Sequence, residues 1–320
     1  MRPVRHVFPV WGAILLAVAC GAAAQDYPNR VVRLVTSEAG GGSDLAARIL
    51  TPLLSTSLGQ PVVVENRGGG VIAGEVVAKA APDGHTLLVY GNTFWLLPLM
   101  RASVSYDPVR DFMPVSLMAM TPSVLVIHPS MPVQSVSALI ALAKSKPGVL
   151  NYSSAAPGTT SQLGAELFKA MTGVNIVRLG FKGAPSAMNA LLTGEAHLMF
   201  AIVAPAVANA KAGRVRALAV TSAQRSALAP GLATMAEAGL PGFEVTFTPG
   251  LFAPAGTPAP IVERLHREIT RLIERPEIRD KYLSVGMEAL GQSPEIFAAA
   301  IKREIAVIGK VVKSAGIREE

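Results

Sequence analysis

Residues 31–44 read VVRLVTSEAGGGSD, and apolar side chains follow at helical spacing through Leu58. A β-branched run, a glycine-rich turn and an amphipathic run predict a strand, a loop and a helix in succession. The same order returns at residues 150–171, where residues 153–161 form the glycine-bearing turn. Strands that alternate with helices predict an α/β fold with right-handed crossovers between parallel strands.

The segments around these two turns predict a two-lobed molecule. The alternation of strands and helices restarts near Ser123, and a further strand-like run begins at Leu251. We therefore expect two lobes, each a mainly parallel sheet flanked by helices: residues 26–123 together with 248–320 form lobe 1, and residues 124–247 form lobe 2. The chain would cross between the lobes twice, which predicts a hinge.

The first 24 residues have the pattern of a secretory signal peptide. Arg2 and Arg5 precede the apolar run Val7–Ala19, and an alanine cluster ends at Ala24. A basic start, a short apolar core and a small-residue cleavage site predict export and removal of residues 1–24. Cys20, the sole cysteine, is either a lipid attachment site or a residue lost with the peptide, so the mature chain has no disulfide.

Composition excludes several function classes. The chain has 320 residues, of which 50% are hydrophobic and 16% charged, so it can bury a large core and is not intrinsically disordered. Aromatic residues make up 5%, too few for a protein that stacks nucleic-acid bases. The net charge of +7 falls to +5 without Arg2 and Arg5, which fits an anionic ligand.

The two glycine-bearing turns are the best candidates for a ligand site. Each follows a predicted strand and opens a helix, where free backbone N–H groups and the positive end of the helix dipole favour an anion. Ligands of parallel sheets lie beyond the carboxyl ends of the strands, so two such turns facing one cleft would bind a carboxylate. The alternative, that these residues serve only as turn and helix-cap residues, stays open.

Catalytic and metal-binding patterns are absent from the sequence. The four histidines after residue 24 have no metal-ligand spacing, no G-x-S-x-G motif occurs, and neither turn has Walker A or dinucleotide-binding spacing. Lys182 could attract an anion, and Glu38 could bind a ligand ammonium or face solvent. We expect no enzyme, no metal and no cofactor.

Several motifs, taken in order, resemble one receptor family. They are GGGSD at 40–44, VVENRGG at 63–69, AKAAPDGHTLL at 78–88, NYSS at 151–154, FKGA at 181–184 and LFAPAGTP at 251–258. Together they resemble the Bug-type substrate-binding receptors of tripartite tricarboxylate transporters, over essentially the whole mature chain.

The resemblance implies a periplasmic clamshell of the type II binding-protein class that holds a small carboxylate for a membrane permease. It implies binding through backbone amides, hydroxyls and ordered water. We also expect no nucleic-acid partner and a monomer. The ligand-binding residues that we predict are Ser37, Glu38, Gly40, Gly41, Gly42, Ser43, Asp44, Asn92, Thr93, Ser154, Ala155, Gly158, Thr159, Thr160, Ser161 and Lys182.

Departures from the family pattern leave the ligand open. Thr36 and Ser37 stand where many relatives have Pro-Phe, and Ala156, Gln162 and Ala190 replace residues common in the family. Two alternative functions also remain at this stage: a receptor that reports to a two-component sensor kinase, and a hydrolase or transferase that uses a hydroxyl of the second turn.

Overall fold

A computed structural model describes residues 27–68 and 71–318. The predicted signal peptide, Cys20 and the Gly69-Gly70 pair lie outside the described residues. The first half of the chain contains β1 Val32–Thr36, α1 Gly42–Leu58, β2 Val62–Asn66, α2 Ile72–Ala78, β3 Thr86–Tyr90, α3 Thr93–Met100, β4 Phe112–Ile127, α4 Val136–Ser145, β5 Asn151–Ser154 and α5 Thr160–Thr172.

The second half continues the alternation and ends in a long helix. It contains β6 Val177–Gly180, α6 Ala184–Leu192, β7 Leu198–Ile202, α7 Val203–Lys211, β8 Arg216–Val220, β9 Thr246–Phe247, β10 Gly250–Pro254, α8 Ala259–Ile273, α9 Pro276–Ser284, β11 Glu288–Gln292 and α10 Pro294–Ala315. In the part of the chain that the structure describes, no helix combines the length and the apolar character needed to cross a bilayer.

The long strand β4 belongs to two sheets. Its first half pairs with β10 and β11, and Ser123–Ile127 pairs with β7 and β8. Between these halves, Thr121 and Pro122 pair with β9. The two crossings predicted from the sequence fall at this pairing of β4 with β9, and the division into lobes stays a prediction.

Pairing within the sheets is mixed, where the sequence predicted mainly parallel sheets. β1 lies parallel to β2 and β3, and β5 lies parallel to β6 and β7. β4 and β10 run antiparallel to their neighbours. The reason is topological: β4 leaves the first sheet for the second, and β10 returns in the opposite direction.

Helix α10 covers one side of the crossing. It begins at the N-cap Ser293, whose Oγ accepts from the Ile296 N–H, and ends at Gly316 in the left-handed region. Phe297 of α10 is fully buried, with ring centroids 4.8 Å from Phe252 and 5.8 Å from Trp95. The amphipathic stripe of the sequence thus packs on the first sheet, as expected.

Candidate functional site

Loop 1, residues 37–44, is shaped by a buried carboxylate. Asp44 accepts hydrogen bonds from the Gly40 N–H at 2.8 Å, from Arg48 Nε at 2.9 Å and from Asn66 Nδ2 at 2.8 Å. Burial of Asp44 opposes ionisation, but these hydrogen bonds outweigh it and lower the pKa of the carboxyl below its ordinary range. Asp44, predicted as a ligand contact, therefore uses its oxygens to hold the loop.

The start of α1 offers donors at the end of loop 1. The cap residue Gly41 has no side chain, and within residues 27–68 and 71–318 the N–H groups of Gly42 and Ser43 have no acceptor. The side chains of Ser37 and Ser43 are buried beside them. Glu38 is exposed, and its carboxylate forms no ion pair with a described residue, so its role stays open.

Loop 2, residues 153–161, is held by its own hydrogen bonds. Ser161 Oγ accepts from the Ala155 N–H at 3.1 Å, and Gln162 Oε1 accepts from the Gly158 N–H at 2.9 Å. The Thr159 hydroxyl donates to the Ala156 carbonyl at 2.7 Å. The predicted donors Ala155 and Gly158 are thus committed to the shape of the loop.

The free donors of loop 2 lie at the start of α5. No acceptor for the N–H groups of Thr160 and Ser161 is found among the residues that the structure describes. The Ser123 hydroxyl of β4 donates to the Thr160 hydroxyl at 3.4 Å. The first turn of α5 therefore lies beside the point where β4 passes from one sheet to the other.

Both loops reach the same part of β4. A Cβ atom on Gly42 would lie 2.5 Å from the Phe247 ring, so that ring packs directly on the start of α1. Phe247 of β9 pairs with Thr121, and Thr121 lies two residues before Ser123, which is roughly 7 Å along a strand. The helix starts of loops 1 and 2 thus converge on the crossing of β4 and β9.

A second contact joins loop 2 to the end of helix α3. Gly158 has a φ of +76° in the left-handed region, and a Cβ atom there would lie 2.7 Å from Met100 Cε at the end of α3. Glycine is therefore required at this position both by the backbone conformation and by the close approach of Met100. The sequence did not identify Met100 or Phe247 as part of this region.

Asn92 is placed on the far side of β9. Its Nδ2 donates to the Thr246 carbonyl and to Glu304 Oε1, each at 2.9 Å. Thr93 begins α3 and is half-buried, whereas Lys182 is exposed and pairs with no acid in the described ranges. These three predicted residues are not brought together with the helix starts by any contact that we observe.

A cavity of about 580 Å³ lies on that far side of β9. Thr246 and Thr248 line it, whereas Phe247 between them faces loop 1. Trp95, Arg303 and Glu304 are among its other polar lining residues, and no residue of loop 1 or loop 2 lines it. Burial raises the pKa of Glu304 to about 7, and the charge of Glu244 adds to this, against hydrogen bonds from Asn92 and Trp95.

Arg178 of β6 is a site residue that sequence reasoning missed. Its Nε donates to Ser154 Oγ at 2.8 Å, and its Nη2 donates to the Ala155 carbonyl at 2.9 Å. An arginine in a short edge strand resembles an ordinary solvent-facing residue, and only the pairing of β5 with β6 brings it to loop 2.

No cluster of three or more His, Cys, Asp or Glu side chains suited to a metal occurs in residues 27–68 and 71–318. Glu166, the acid on α5, accepts a hydrogen bond from the Tyr152 hydroxyl and pairs with Lys169 at 2.9 Å.

Comparison with known proteins identifies the family. Residues 46–317 match the profile of the tripartite tricarboxylate transporter family receptor. Protein BugT of Bordetella pertussis is 34% identical over 307 residues, which cover 94% of each chain. The matched residues include loop 2 and both crossing strands, β4 and β9.

Solved structures agree with this match. The structure of Rpa4515 from R. palustris with adipate is 36% identical, covers 92% of this chain and 99% of its own, and has a TM-score of 0.74. MatC (Rpa3494) from Rhodopseudomonas palustris with bound malate is 32% identical, covers 89% of this chain and 100% of its own, and has a TM-score of 0.70. The chain therefore belongs to the tripartite tricarboxylate transporter family of receptors and has the α/β fold of periplasmic binding proteins.

Proposed function

We propose that this receptor binds a small organic carboxylate between loop 1 and loop 2 and delivers it to membrane permease subunits. One observation carries the proposal. Among the described residues, the N–H groups of Gly42, Ser43, Thr160 and Ser161 have no acceptor, and the two helix starts that hold them meet at one part of β4. Two positive helix ends on one site favour an anion.

The relatives support a carboxylate rather than another anion. Rpa4515 was solved with adipate and MatC with malate, and each covers about nine-tenths of this chain. The buried Ser43 hydroxyl supplies a further donor of the kind that a carboxylate accepts. The chain is a solute receptor and not an enzyme, and the ligand is released unchanged.

We propose that the two lobes close on the ligand, because the free N–H donors of α1 and α5 belong to different lobes. We place residues 26–123 and 248–320 in lobe 1 and residues 124–247 in lobe 2, so that α1 and α5 belong to different lobes. A carboxylate that bonds to both stabilises the closed state by the contacts that the open state lacks.

Export, anchoring and partners belong to the same proposal. We propose that residues 1–24 direct the chain to the periplasm and are then removed, with Cys20 as the alternative lipid attachment site. We also propose that the receptor works as a monomer. Neighbouring genes for small and large permease subunits would favour transport, and an adjacent sensor-kinase pair would favour ligand sensing.

Replacement of Thr160 by proline tests the proposal. Proline lacks the N–H and is tolerated at the first position of a helix. Thr159, with φ −71° and ψ 156°, already has the conformation that a following proline requires. We expect Thr160→Pro to weaken adipate or malate binding about 10-fold to 100-fold, the value of one hydrogen bond to a charged group, with little change in melting temperature.

Thr160→Ala is the matched control, because it removes the hydroxyl and keeps the N–H. Calorimetric titration should give affinities for Thr160→Ala within about threefold of the original chain, since the hydroxyl makes one long hydrogen bond. Equal affinities for the proline and alanine variants, in folded proteins, would contradict the proposed role of the helix start.

A further inference from the structure

Arg178 lies on the same face of the second sheet as Ser154, near the beginning of loop 2. In the parallel pairing of β5 with β6, Tyr152 lies opposite Arg178 and Ser154 lies opposite Gly180, so these four residues share one face. The Tyr152 hydroxyl reaches Glu166 of α5, which places α5 over that face. The guanidinium is therefore located beneath the helix whose start carries the free donors of loop 2.

The charge of Arg178 has no acidic partner in the described part of the chain. The ion pairs found there do not include it, and the acid on the neighbouring helix, Glu166, is already paired with Lys169. By contrast, the guanidinium of Arg48 at loop 1 is neutralised by Asp44 at 2.9 Å. Partly buried charges are normally paired. Arg178 is an exception among the described residues, and its positive charge beside loop 2 is not compensated by an acid.

Ser154 transmits this charge to the site. Its side chain is fully buried, and its Oγ accepts from Arg178 Nε at 2.8 Å. Within residues 27–68 and 71–318, the hydrogen bond that Ser154 Oγ makes is this one, in which it is the acceptor, so its own hydrogen is available to donate. A hydroxyl that accepts from a cation becomes a stronger donor, because linked hydrogen bonds polarise one another.

Gly180 leaves the guanidinium open. A Cβ atom at this exposed position would lie 3.3 Å from Nη2 and 3.4 Å from Cζ of Arg178. Any side chain would therefore press against the guanidinium, and its absence keeps that face accessible to solvent and solute.

We propose that Arg178 is the positioning residue that makes loop 2 selective for a carboxylate over a neutral group of the same shape. Its charge attracts the anion, and its hydrogen bond turns Ser154 into a hydroxyl donor. This inference rests on the proposed function and adds to it the residue that reads the charge of the ligand.

Calorimetry with adipate and malate, and with the corresponding neutral diamides, tests the inference. Arg178→Gln should lose about tenfold or more in acid affinity, as expected for a hydrogen-bonded charge, while diamide affinity changes little. The acid affinity of this variant should also depend less on NaCl concentration, since one screened charge is gone. Arg178→Lys should restore the salt dependence and part of the affinity.

Arg216→Gln is the matched control. Arg216 is also partly buried and donates to the Met131 and Val133 carbonyls, away from loop 2. We expect its acid affinity within about twofold of the original chain. Ser154→Ala should weaken acid binding in the original chain and have much less effect in the Arg178→Gln background, because the two residues act together.

Unchanged acid affinity and salt dependence in folded Arg178→Gln would overturn the inference, as would an equal loss in Arg216→Gln. If Arg178→Gln does not fold, Arg178→Lys and Ser154→Ala provide the test. Both variants binding the acids with the affinity of the original chain would overturn the inference. Weaker acid binding with unchanged diamide binding would support it. Failure of the original chain to bind any carboxylate would overturn the proposed function as well, which separates the two results.

Discussion

At the scale of single residues, Asp44 decides the shape of loop 1. Its two oxygens accept from a backbone N–H, a guanidinium and a side-chain amide, which tie the loop to α1 and to Asn66 at the end of β2. Asn66 also donates to the Ser37 carbonyl at 2.9 Å. One carboxylate therefore connects both ends of the loop that we place at the ligand.

Asp44→Asn should destabilise the protein by about 1–3 kcal/mol, because the amide group places a donor where Gly40 or Arg48 already donates. Thermal or denaturant unfolding at pH 7 measures this loss. The exposed Glu277→Gln, which breaks an ion pair with Arg275, is the control and should change the stability little, because solvent screens exposed ion pairs.

The pH dependence of the Asp44→Asn effect has a definite sign. The pKa of Asp44 is lowered in the folded state, so its contribution is complete above its ordinary pKa of 3.8 and is lost as pH falls below it. The stability difference between the two proteins should shrink in acid. A difference that stays constant down to pH 2 would contradict this assignment.

Residue-level prediction succeeded in locating the two helix starts and missed the residues that join them. Glycines, hydroxyls and an acidic residue at a strand-to-helix turn are local signals, so both loops could be found from the sequence. Phe247 reaches loop 1 through the pairing of β9 with β4, and Arg178 reaches loop 2 through the pairing of β6 with β5. No local pattern marks such residues.

At the scale of elements, β4 shows why a crossing strand is hard to predict. Pro114 and Pro122 interrupt the apolar run of β4, and a proline within such a run argues against a strand. The structure accommodates Pro114 where the register between β4 and β10 shifts, which is the kind of position that tolerates proline. Pairing on both sides of β4 then overrides its weak local signal.

Three further elements have weak local signals for related reasons. Helix α3 has the sequence TFWLLPLM, and five of its eight residues are buried. Such a helix is apolar on all sides, so no amphipathic pattern marks it. Helix α9 buries only Ile278 and Tyr282, so its apolar stripe is too narrow to detect. The short strand β11 is half-buried throughout and has no alternation.

Helix α10 is linked to the crossing by Glu304. Its Oε1 accepts from Asn92, its Oε2 accepts from Trp95 Nε1 at 2.9 Å, and Asn92 also donates to Thr246 of β9. Burial, with the nearby charge of Glu244, raises the pKa of Glu304 to about 7, whereas the charge of Arg303 opposes the rise.

Glu304 should make the stability of the protein depend on pH near neutrality. A carboxyl whose folded pKa lies above its ordinary 4.5 binds more proton in the folded state, so the free energy of unfolding falls as pH rises from about 4.5 to 7. Relative to Glu304→Gln, the original chain should lose roughly 1–3 kcal/mol between pH 5 and pH 8.

Melting curves of both proteins across this pH range measure the effect. Glu244→Gln is the control: it should keep the pH dependence and move its midpoint to lower pH, because one neighbouring negative charge is removed. Parallel curves for the original chain and Glu304→Gln would show that Glu304 is not the titrating group.

At the scale of the whole molecule, the two sheets share a core on one side of the crossing. One apolar cluster runs from Phe94 of α3 and Phe252 of β10 through α10 to Phe200 of β7 and to Phe243, which precedes β9. Loops 1 and 2 lie at the crossing as well, with Phe247 against the start of α1. Burial of this cluster therefore contributes to holding the halves together.

Polar contacts at the same side fix the relative position of the halves. Ser226 donates to Glu288 of β11, and Arg303 of α10 pairs with Glu244 at 3.6 Å. In the proposed lobe division, each of these contacts joins lobe 2 to lobe 1. Any change in the angle between the lobes must therefore rearrange them.

A crystal structure of the mature chain grown with saturating adipate or malate tests the central claim most directly. The account predicts one ligand carboxylate within hydrogen-bonding distance of the N–H groups at the starts of both α1 and α5. A ligand bound by one helix start alone, or seated in the cavity beside Glu304, would contradict it.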